Sequence, residues 1–414
     1  MENFERELIA ATSDKHLPGT IVAAANREGT FNYLKCFGNT SLAPDAPPVT
    51  EASTFCLASA TKLVTSVAAM QCVERGLISL DEDVAEYLTE WKDAVILKGI
   101  DEGSGEPILV RAERKITLRH LLTHTSGISG FENEEIMAYY NAIGDSKGTL
   151  ISRYFTSQDP VIKAAALEEM RVADDSFTVE PLIFEPGTGW VYGMSTDWAG
   201  KLVETLTHQT LESYCRQNIF TPLHMTSTTF RLLHPTHPHI QQNLLSMTSR
   251  TPSGTLTNVP SLYPLNPVHD MGGSNLYSSA PDFLALLKSL LKNDGVVLKR
   301  ETVDEMFDAR LVDKGVLGTE KARGFLEGMV QVEREKEWDH CLAGLVNEGV
   351  LGTGRRGGGV TWQGATKCFW WIDRESGLCG FYGSQLIGGS DKGASARMND
   401  KFEKAVYDDY GGSK

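Results

Sequence analysis

Ser59 and Lys62 stand three residues apart in Phe55-Cys56-Leu57-Ala58-Ser59-Ala60-Thr61-Lys62, where a strand-like run meets a long helical pattern. On a helix this spacing brings an ammonium beside a hydroxyl, and the first turn lends partial positive charge to the nucleophile. A serine hydroxyl is a poor nucleophile at neutral pH and needs a neighbouring base. Lys62 serves directly if it is neutral in a desolvated site, or indirectly if it stays charged and favours a nearby phenolate. The second route requires a tyrosine in the same cleft. Two are placed for it: Tyr192, after the turn-rich Phe184-Glu185-Pro186-Gly187-Thr188-Gly189-Trp190-Val191, and Tyr139, in a polar helical stretch two residues before Asn141. A second Ser-x-x-Lys, Ser289 to Lys292, falls inside an amphipathic helix, and both residues are expected to face solvent.

Other motifs carry less chemistry. Neither Gly-x-Ser-x-Gly nor His-Glu-x-x-His occurs, which disfavours a nucleophile elbow of that type and a zincin helix. His120 and His124 are four apart, as on one helical face, with packing or capping the expected role and no third ligand implied. His234, His237 and His239 sit in a proline-rich loop and read as surface. Gly352-Thr353-Gly354-Arg355-Arg356-Gly357 has dinucleotide-type spacing, but strand-like sequence follows it, so a turn between strands is expected. No metal and no cofactor is implied.

The elements that must hold Ser59 and its base read as follows. Helical spacing covers 2–16, and strands are expected at Thr20–Ala25 and Thr30–Phe37 around a turn. A long helix runs from Ser59, with Leu63, Val67, Met70 and Val73 on one face and Gly76 as its cap. Helices are expected at 117–124, 196–207 and 211–219, and exposed loops at 99–107 and 251–260. Ser279-Ala280-Pro281-Asp282 starts another helix, with Leu284, Leu287, Leu290 and Leu291 on its apolar face. The tail from about 324 to 385 is strand-like at 341–347, 357–363, 366–373 and 377–383, and a helix closes the chain at 394–410. Strands at both ends with helices between them imply an α/β (α+β) architecture, an antiparallel sheet flanked by helices plus a helix-rich insertion. Residues 1–58 and 275–414 would form the discontinuous sheet region and 59–274 the helix-rich region, one catalytic unit with its site in the cleft between them.

Composition bounds the setting. The chain has 414 residues, 39 Lys and Arg against 54 Asp and Glu, and a net charge of −15. A nucleic-acid binder normally carries a basic face, so that class is disfavoured. No apolar run approaches the roughly 18 residues of a membrane span, and the charged N-terminus has no secretory h-region. Seven cysteines without Cys-x-x-Cys suit reduced thiols. A cytoplasmic location is expected.

Four blocks in chain order resemble the serine β-lactamase and penicillin-binding-protein superfamily, in its class C and family VIII esterase branch. They are Phe55 to Lys62, Ile116-Thr117-Leu118-Arg119-His120-Leu121-Leu122-Thr123-His124-Thr125-Ser126-Gly127, Pro186 to Tyr192, and Gly358 to Ala365. The resemblance spans nearly the whole chain and implies a β-lactamase/transpeptidase-like fold. Asp197-Trp198-Ala199-Gly200-Lys201-Leu202-Val203-Glu204, Trp371-Ile372-Asp373 and Gly377-Leu378-Cys379 are further similar to the fungal acyltransferase branch of the lovastatin pathway.

By position, the resemblance makes Ser59 the acyl-enzyme nucleophile and favours Tyr192 over Tyr139 as the partner of Lys62 in acid–base work. The superfamily's Lys-Thr-Gly falls at Trp362-Gln363-Gly364, and the backbone N–H groups of Ser59 and Ala365 would form the oxyanion hole. Two departures, Tyr192-Gly193-Met194 for Tyr-x-Asn and the missing Lys-Thr-Gly, remove polar groups suited to a β-lactam, so lactamase activity is disfavoured. The implied reaction moves an acyl group from a thioester donor, carrier-protein or CoA-type, through Ser59 to a hydroxyl of a polyketide-like small molecule. An acyl carrier protein or polyketide synthase is the implied partner, with no nucleic acid and no membrane. The same residues would also suit an esterase or lactonase, with water as acceptor. Trp190, Tyr263, Trp362, Trp370 and Trp371 favour a large apolar acceptor, with Gly364 beside them. Cys56 would line the pocket or pack on its strand.

Overall fold

The computed structural model describes residues 1–130, 133–144, 180–263, 265, 267, 269–308, 310–311, 313–330, 337–388 and 393–410. The parts of the expected helical stretch at 145–179 and of the strand-like tail at 331–336 lie outside them.

Successive side chains of a strand point to opposite faces, and strand β1 (Thr20–Asn26) shows it with small residues. Ile21, Ala23 and Ala25 enter one core layer, while Val22 and Ala24 enter another. A strand apolar on both faces belongs in the middle of a covered sheet. β1 pairs antiparallel with β2 (Asn32–Phe37) on one side and with β13 (Leu378–Gly383) on the other. The sheet continues from β13 through β12 (Cys368–Asp373), β11 (Gly359–Gly364) and β10 (Leu345–Asn347) to β9 (Trp338–His340), among the described residues seven strands in the order β2-β1-β13-β12-β11-β10-β9. Both ends of the chain therefore build one sheet.

Helices cover its two faces. On the back lie α1 (Glu2–Ser13) and the closing helix Ala394–Tyr410, where Phe402 packs 5.3 Å from Phe4 and 5.5 Å from Trp371 between ring centroids. The turn at 352–357 docks on that closing helix through Arg355, whose guanidinium donates to both oxygens of Glu403 at 2.7 and 2.8 Å. Both residues are buried, and the two-point geometry satisfies charges that burial would otherwise make costly. On the front lies α2 (Lys62–Glu74), buried almost all round from Lys62 to Cys72 rather than along one stripe. It ends as expected at Gly76, with φ +68°, where Gly76 N–H donates to Val73 O and Leu77 N–H to Cys72 O. The helix Ala280–Lys292 packs on β1 and β13, started by Ser279, whose hydroxyl accepts from Asp282 N–H at 3.3 Å.

Several expectations need correcting. Ser289 does not face solvent: it is 4% exposed and its hydroxyl donates to Asp294 at 2.7 Å. The expected strand at 341–347 is instead two short strands, β9 and β10, joined by a tight turn in which Cys341 N–H donates to Gly344 O. The helix expected at 211–219 is α-helical over Leu211–Cys215 and then widens into a π turn over Arg216–Phe220. Residues 101–106 turn between β4 (Val95–Ile100) and β5 (Pro107–Arg111), an antiparallel hairpin that the loop expectation missed. Ile108, Leu109 and Val110 are all exposed, so β5 has no alternation to read. Likewise 251–255 turns between β6 (Thr248–Arg250) and β7 (Leu256–Asn258), strands too short for a period to show. β14 (Leu386–Ile387) adds to β6 in parallel. Among the described residues, no helix is long and apolar enough to cross a membrane.

Candidate active site

Ser59 is presented by a strained turn. β3 (Thr54–Cys56) pairs with β8 (Tyr277–Ser279), and Leu57 N–H extends the pairing to Leu276 O at 2.8 Å. Ala58 then takes φ +46°, a left-handed conformation that carries strain for a residue with a Cβ. The chain turns there into a 3₁₀ turn, Ala58–Thr61, before α2 begins at Lys62, so the expected helix starts with a tighter winding. Thr61 locks the turn by accepting from Leu276 N–H at 3.1 Å. The end of β11 presses against it: a Cβ on Gly364 would lie 2.0 Å from Leu57 O. Glycine is therefore required at 364. The next residue, Ala365, is thereby held beside the Ser59 turn, and Lys367 N–H donates back to Gly364 O at 2.9 Å.

Tyr192 reaches Ser59, its phenol donating to Ser59 Oγ at 2.6 Å. Lys62 Nζ donates to Gly273 O at 2.8 Å and lies 4.6 Å from the centre of the Tyr192 ring, a cation–π distance. The ring is held from the other sides by Phe325, stacked at 4.6 Å, His124 at 4.8 Å and Trp362 at 5.5 Å. Tyr139 is elsewhere, on the helix Glu134–Ala142 with its ring against Tyr140.

The block from Ile116 to Gly127 and the residues after it form the backing of the tyrosine. Thr117 caps α3 (Leu118–Leu122) in a reciprocal box with His120. His124 lies beyond that helix at φ +58°, so the two histidines do not share a helical face. Val191 N–H donates to His124 O at 3.0 Å, and Met194 N–H to Ser129 O at 3.3 Å. Gly193 sits between these bonds, where a Cβ would lie 2.2 Å from Ser129 C. Gly193→Ala is expected to push the Tyr192 loop away, cutting activity about 100-fold as a misplacement near 1 Å does, with a lower unfolding midpoint in the same preparation.

Of the pocket residues expected from sequence, Trp190 and Trp362 join this aromatic wall, each within 6.2 Å of His124. Tyr263 is partly buried, packed against the cluster of Cys56, Leu232, Ile240 and Met247. Burial pushes that phenol well up, and Cys56, Tyr192 and Asp197 add to the rise. Trp370, the cross-strand partner of Trp362, packs in the front core, and Trp371 faces the back layer, away from the site. Cys56 packs among Leu232, Ile240 and Met247. Gln363, the middle of the Trp362-Gln363-Gly364 triplet, lies on the other face of β11 and lines a separate cavity of about 330 Å³ with Phe369 and Arg355.

Four residues of the site were missed or unassigned by sequence reasoning: His124, His340, Phe325 and Asp197. No local pattern marks His340 or Phe325, which arrive from distant segments. His124 is 2% exposed, and burial, followed by the charge of Lys62 and by His340, holds its imidazole well below the usual histidine range. His340, 5.9 Å from it, carries its proton on Nδ1, which donates to Cys341 O at 2.6 Å. Burial lowers its pKa to about 4. An unfolded histidine titrates near 6.5, so below that pH the unfolded chain takes up a proton that folded His340 refuses. Its contribution to stability is complete above pH 6.5 and is lost as pH falls toward 4, on the order of 3 kcal/mol. Urea unfolding at pH 7 and pH 4.5 should show a smaller difference in His340→Gln than in the wild type by that order.

A serine on a strained strand-to-helix turn, with a lysine three residues on and a tyrosine hydrogen-bonded to it, is the arrangement of the penicillin-recognising serine acyl-transfer proteins. The chain belongs to the Beta-lactamase family, whose profile matches residues 2–401. It is 33% identical to the monacolin J acid methylbutanoyltransferase of Aspergillus terreus, across 97% of this chain and 94% of that protein. It is 32% identical to the lovastatin esterase of Penicillium rubens, across 97% of each. Among solved structures it is similar to unliganded, selenomethionyl simvastatin synthase from Aspergillus terreus, with TM-score 0.84, 30% identity and coverage of 99% of this chain and 98% of that one. The β-lactamase/transpeptidase-like fold expected from sequence is thus the fold observed. Among the described residues, no group of three or more His, Cys, Asp or Glu side chains is placed to hold a metal ion.

Proposed function

We propose that the chain is a serine acyltransferase of secondary metabolism that carries a short acyl group as an ester of Ser59. The observation that carries this is the 2.6 Å contact between Tyr192 and Ser59 with the Lys62 ammonium against the tyrosine ring. Tyr192 takes the Ser59 proton as Oγ attacks the donor carbonyl, and the backbone N–H groups of Ser59 and Ala365 receive the oxyanion. The thiol leaves with the proton from Tyr192, and the acceptor hydroxyl then enters by the same route in reverse. The donor in this reading is a carrier-protein or CoA-type thioester, the acceptor a polyketide-like alcohol, and an acyl carrier protein or polyketide synthase the partner. Segments 1–58 and 275–414 supply the sheet and Ala365, and 59–274 supplies Ser59, Lys62 and Tyr192, one catalytic unit. Support comes from relatives named as methylbutanoyltransferases and from the wall of Trp190, Trp362 and Phe325, which suits a bulky apolar acceptor and the exclusion of water.

Hydrolysis by the same residues is the second reading, favoured by the equally similar lovastatin esterase. Partitioning decides between them. Acyl-enzyme made with a short acyl thioester is mixed with polyketide alcohols, and ester and free acid are quantified. Transfer predicts ester as the main product at millimolar acceptor. Free acid alone, at a rate indifferent to the alcohol, would leave the hydrolase.

A further inference from the structure

Asp197 has a place in this site that the Ser59, Lys62 and Tyr192 reading does not use. It lies in the first turn of the helix Ser195–Thr207 and is 2% exposed. Its Oδ1 accepts from Gly273 N–H at 2.8 Å, and Gly273 O in turn accepts from Lys62 Nζ at 2.8 Å. Gly272 O accepts from Thr65 Oγ1 at 2.6 Å, three residues along α2 from Lys62. The carboxylate rests directly on this backbone, since a Cβ on Gly273 would fall 2.3 Å from Asp197 Oδ2. Lys62 is 9% exposed, and a buried ammonium is costly without a nearby anion.

The groups facing Lys62 identify that anion. They are the Tyr192 ring, the Gly273 carbonyl, Asp197 behind Gly273, and His124, whose protonated form Lys62 itself disfavours. Tyr263, beside Asp197, has its phenol pushed up and adds no charge. Burial raises the Asp197 carboxyl, while Lys62 and the N–H groups of Gly273 and Asp197 favour its ionised form.

We propose that Asp197 is the electrostatic positioning residue of the site, holding the Gly272-Gly273 backbone under Lys62 and keeping Lys62 protonated, so that Tyr192 takes the Ser59 proton. This rests on the acyl-enzyme reading above. In the ionised form of Tyr192 the 2.6 Å contact reverses: Ser59 Oγ–H passes its proton to the phenolate as the Oγ–C bond forms. The carbonyl electron pair moves to the oxyanion, and collapse of the adduct expels the thiolate, which takes the proton from Tyr192. Lys62 stays charged throughout and gives up no proton.

The test compares Asp197→Asn, Asp197→Glu and Asp197→Ala in the rate of Ser59 acylation by a p-nitrophenyl short-chain ester, measured against pH. Asn keeps an acceptor for Gly273 N–H but removes the charge. It should fold with a thermal midpoint near that of the wild type, acylate at least tenfold more slowly, and move the alkaline limb of the profile about one pH unit lower. Glu, retaining the charge, should restore most of both, and Ala should lose rate and midpoint together. A wild-type rate and profile in Asp197→Asn would overturn the inference, as would a profile in Asp197→Glu as displaced as that of Ala. Absence of any Ser59 adduct in the wild type would instead overturn the acyl-enzyme reading and this inference with it.

Discussion

Ser59→Ala is expected to reduce acyl transfer about 10⁴- to 10⁶-fold, the scale seen when a covalent nucleophile is removed from a site whose members act as a unit. The methyl group keeps the left-handed Ala58 turn and the close approach of Gly364, because neither depends on the hydroxyl. The structural loss is the hydrogen bond accepted from Tyr192, worth about 1 kcal/mol. Activity should therefore collapse while the unfolding midpoint moves by a few degrees at most. Circular dichroism melting and steady-state transfer on one preparation separate the two. Retained transfer in a well-folded Ser59→Ala protein would remove the covalent scheme.

Tyr192→Phe is the second large effect. The phenyl ring preserves the stack on Phe325, the contacts with His124 and Trp362, and the face presented to Lys62. What goes is the oxygen 2.6 Å from Ser59 Oγ. A positioned acid–base group contributes about 10²- to 10⁴-fold, so kcat/KM should fall within that range, in acylation and deacylation alike, with KM little changed. Tyr139→Phe, in the helix Glu134–Ala142, should leave the rate within twofold. Equal losses in the two variants would contradict the assignment of Tyr192.

How far sequence reaches into this protein can be judged element by element. β1 and the strands β11 to β13 were readable because each is a short apolar run closed by turns, and the helix at Ala280 because Ser279 and Pro281 announce it. The hairpin β4–β5 was not, since the exposed side chains of β5 show no alternation. Ser59 and Lys62 share a turn of chain and could be paired from spacing alone. Tyr192 was reachable through the Pro186-Gly187-Thr188-Gly189 approach and the family resemblance, because 133 residues separate it from Ser59. His340 and Phe325 come from distant segments with no motif, and their ring contacts with His124 and Tyr192 are what make them part of the site. Asp197 was visible as part of a resembling block but without a role, which only the Gly273 bridge to Lys62 supplies.

The central claim is that the acyl group passes through Ser59. Its most direct measurement is peptide mass mapping after the protein is mixed with a short-chain acyl thioester and quenched in acid before any acceptor is added. The account predicts one acyl increment, confined to the peptide holding Ser59, absent in Ser59→Ala and discharged when a polyketide alcohol is supplied. Sustained transfer with no increment on that peptide, or an increment on another residue that discharges to the alcohol, would contradict it.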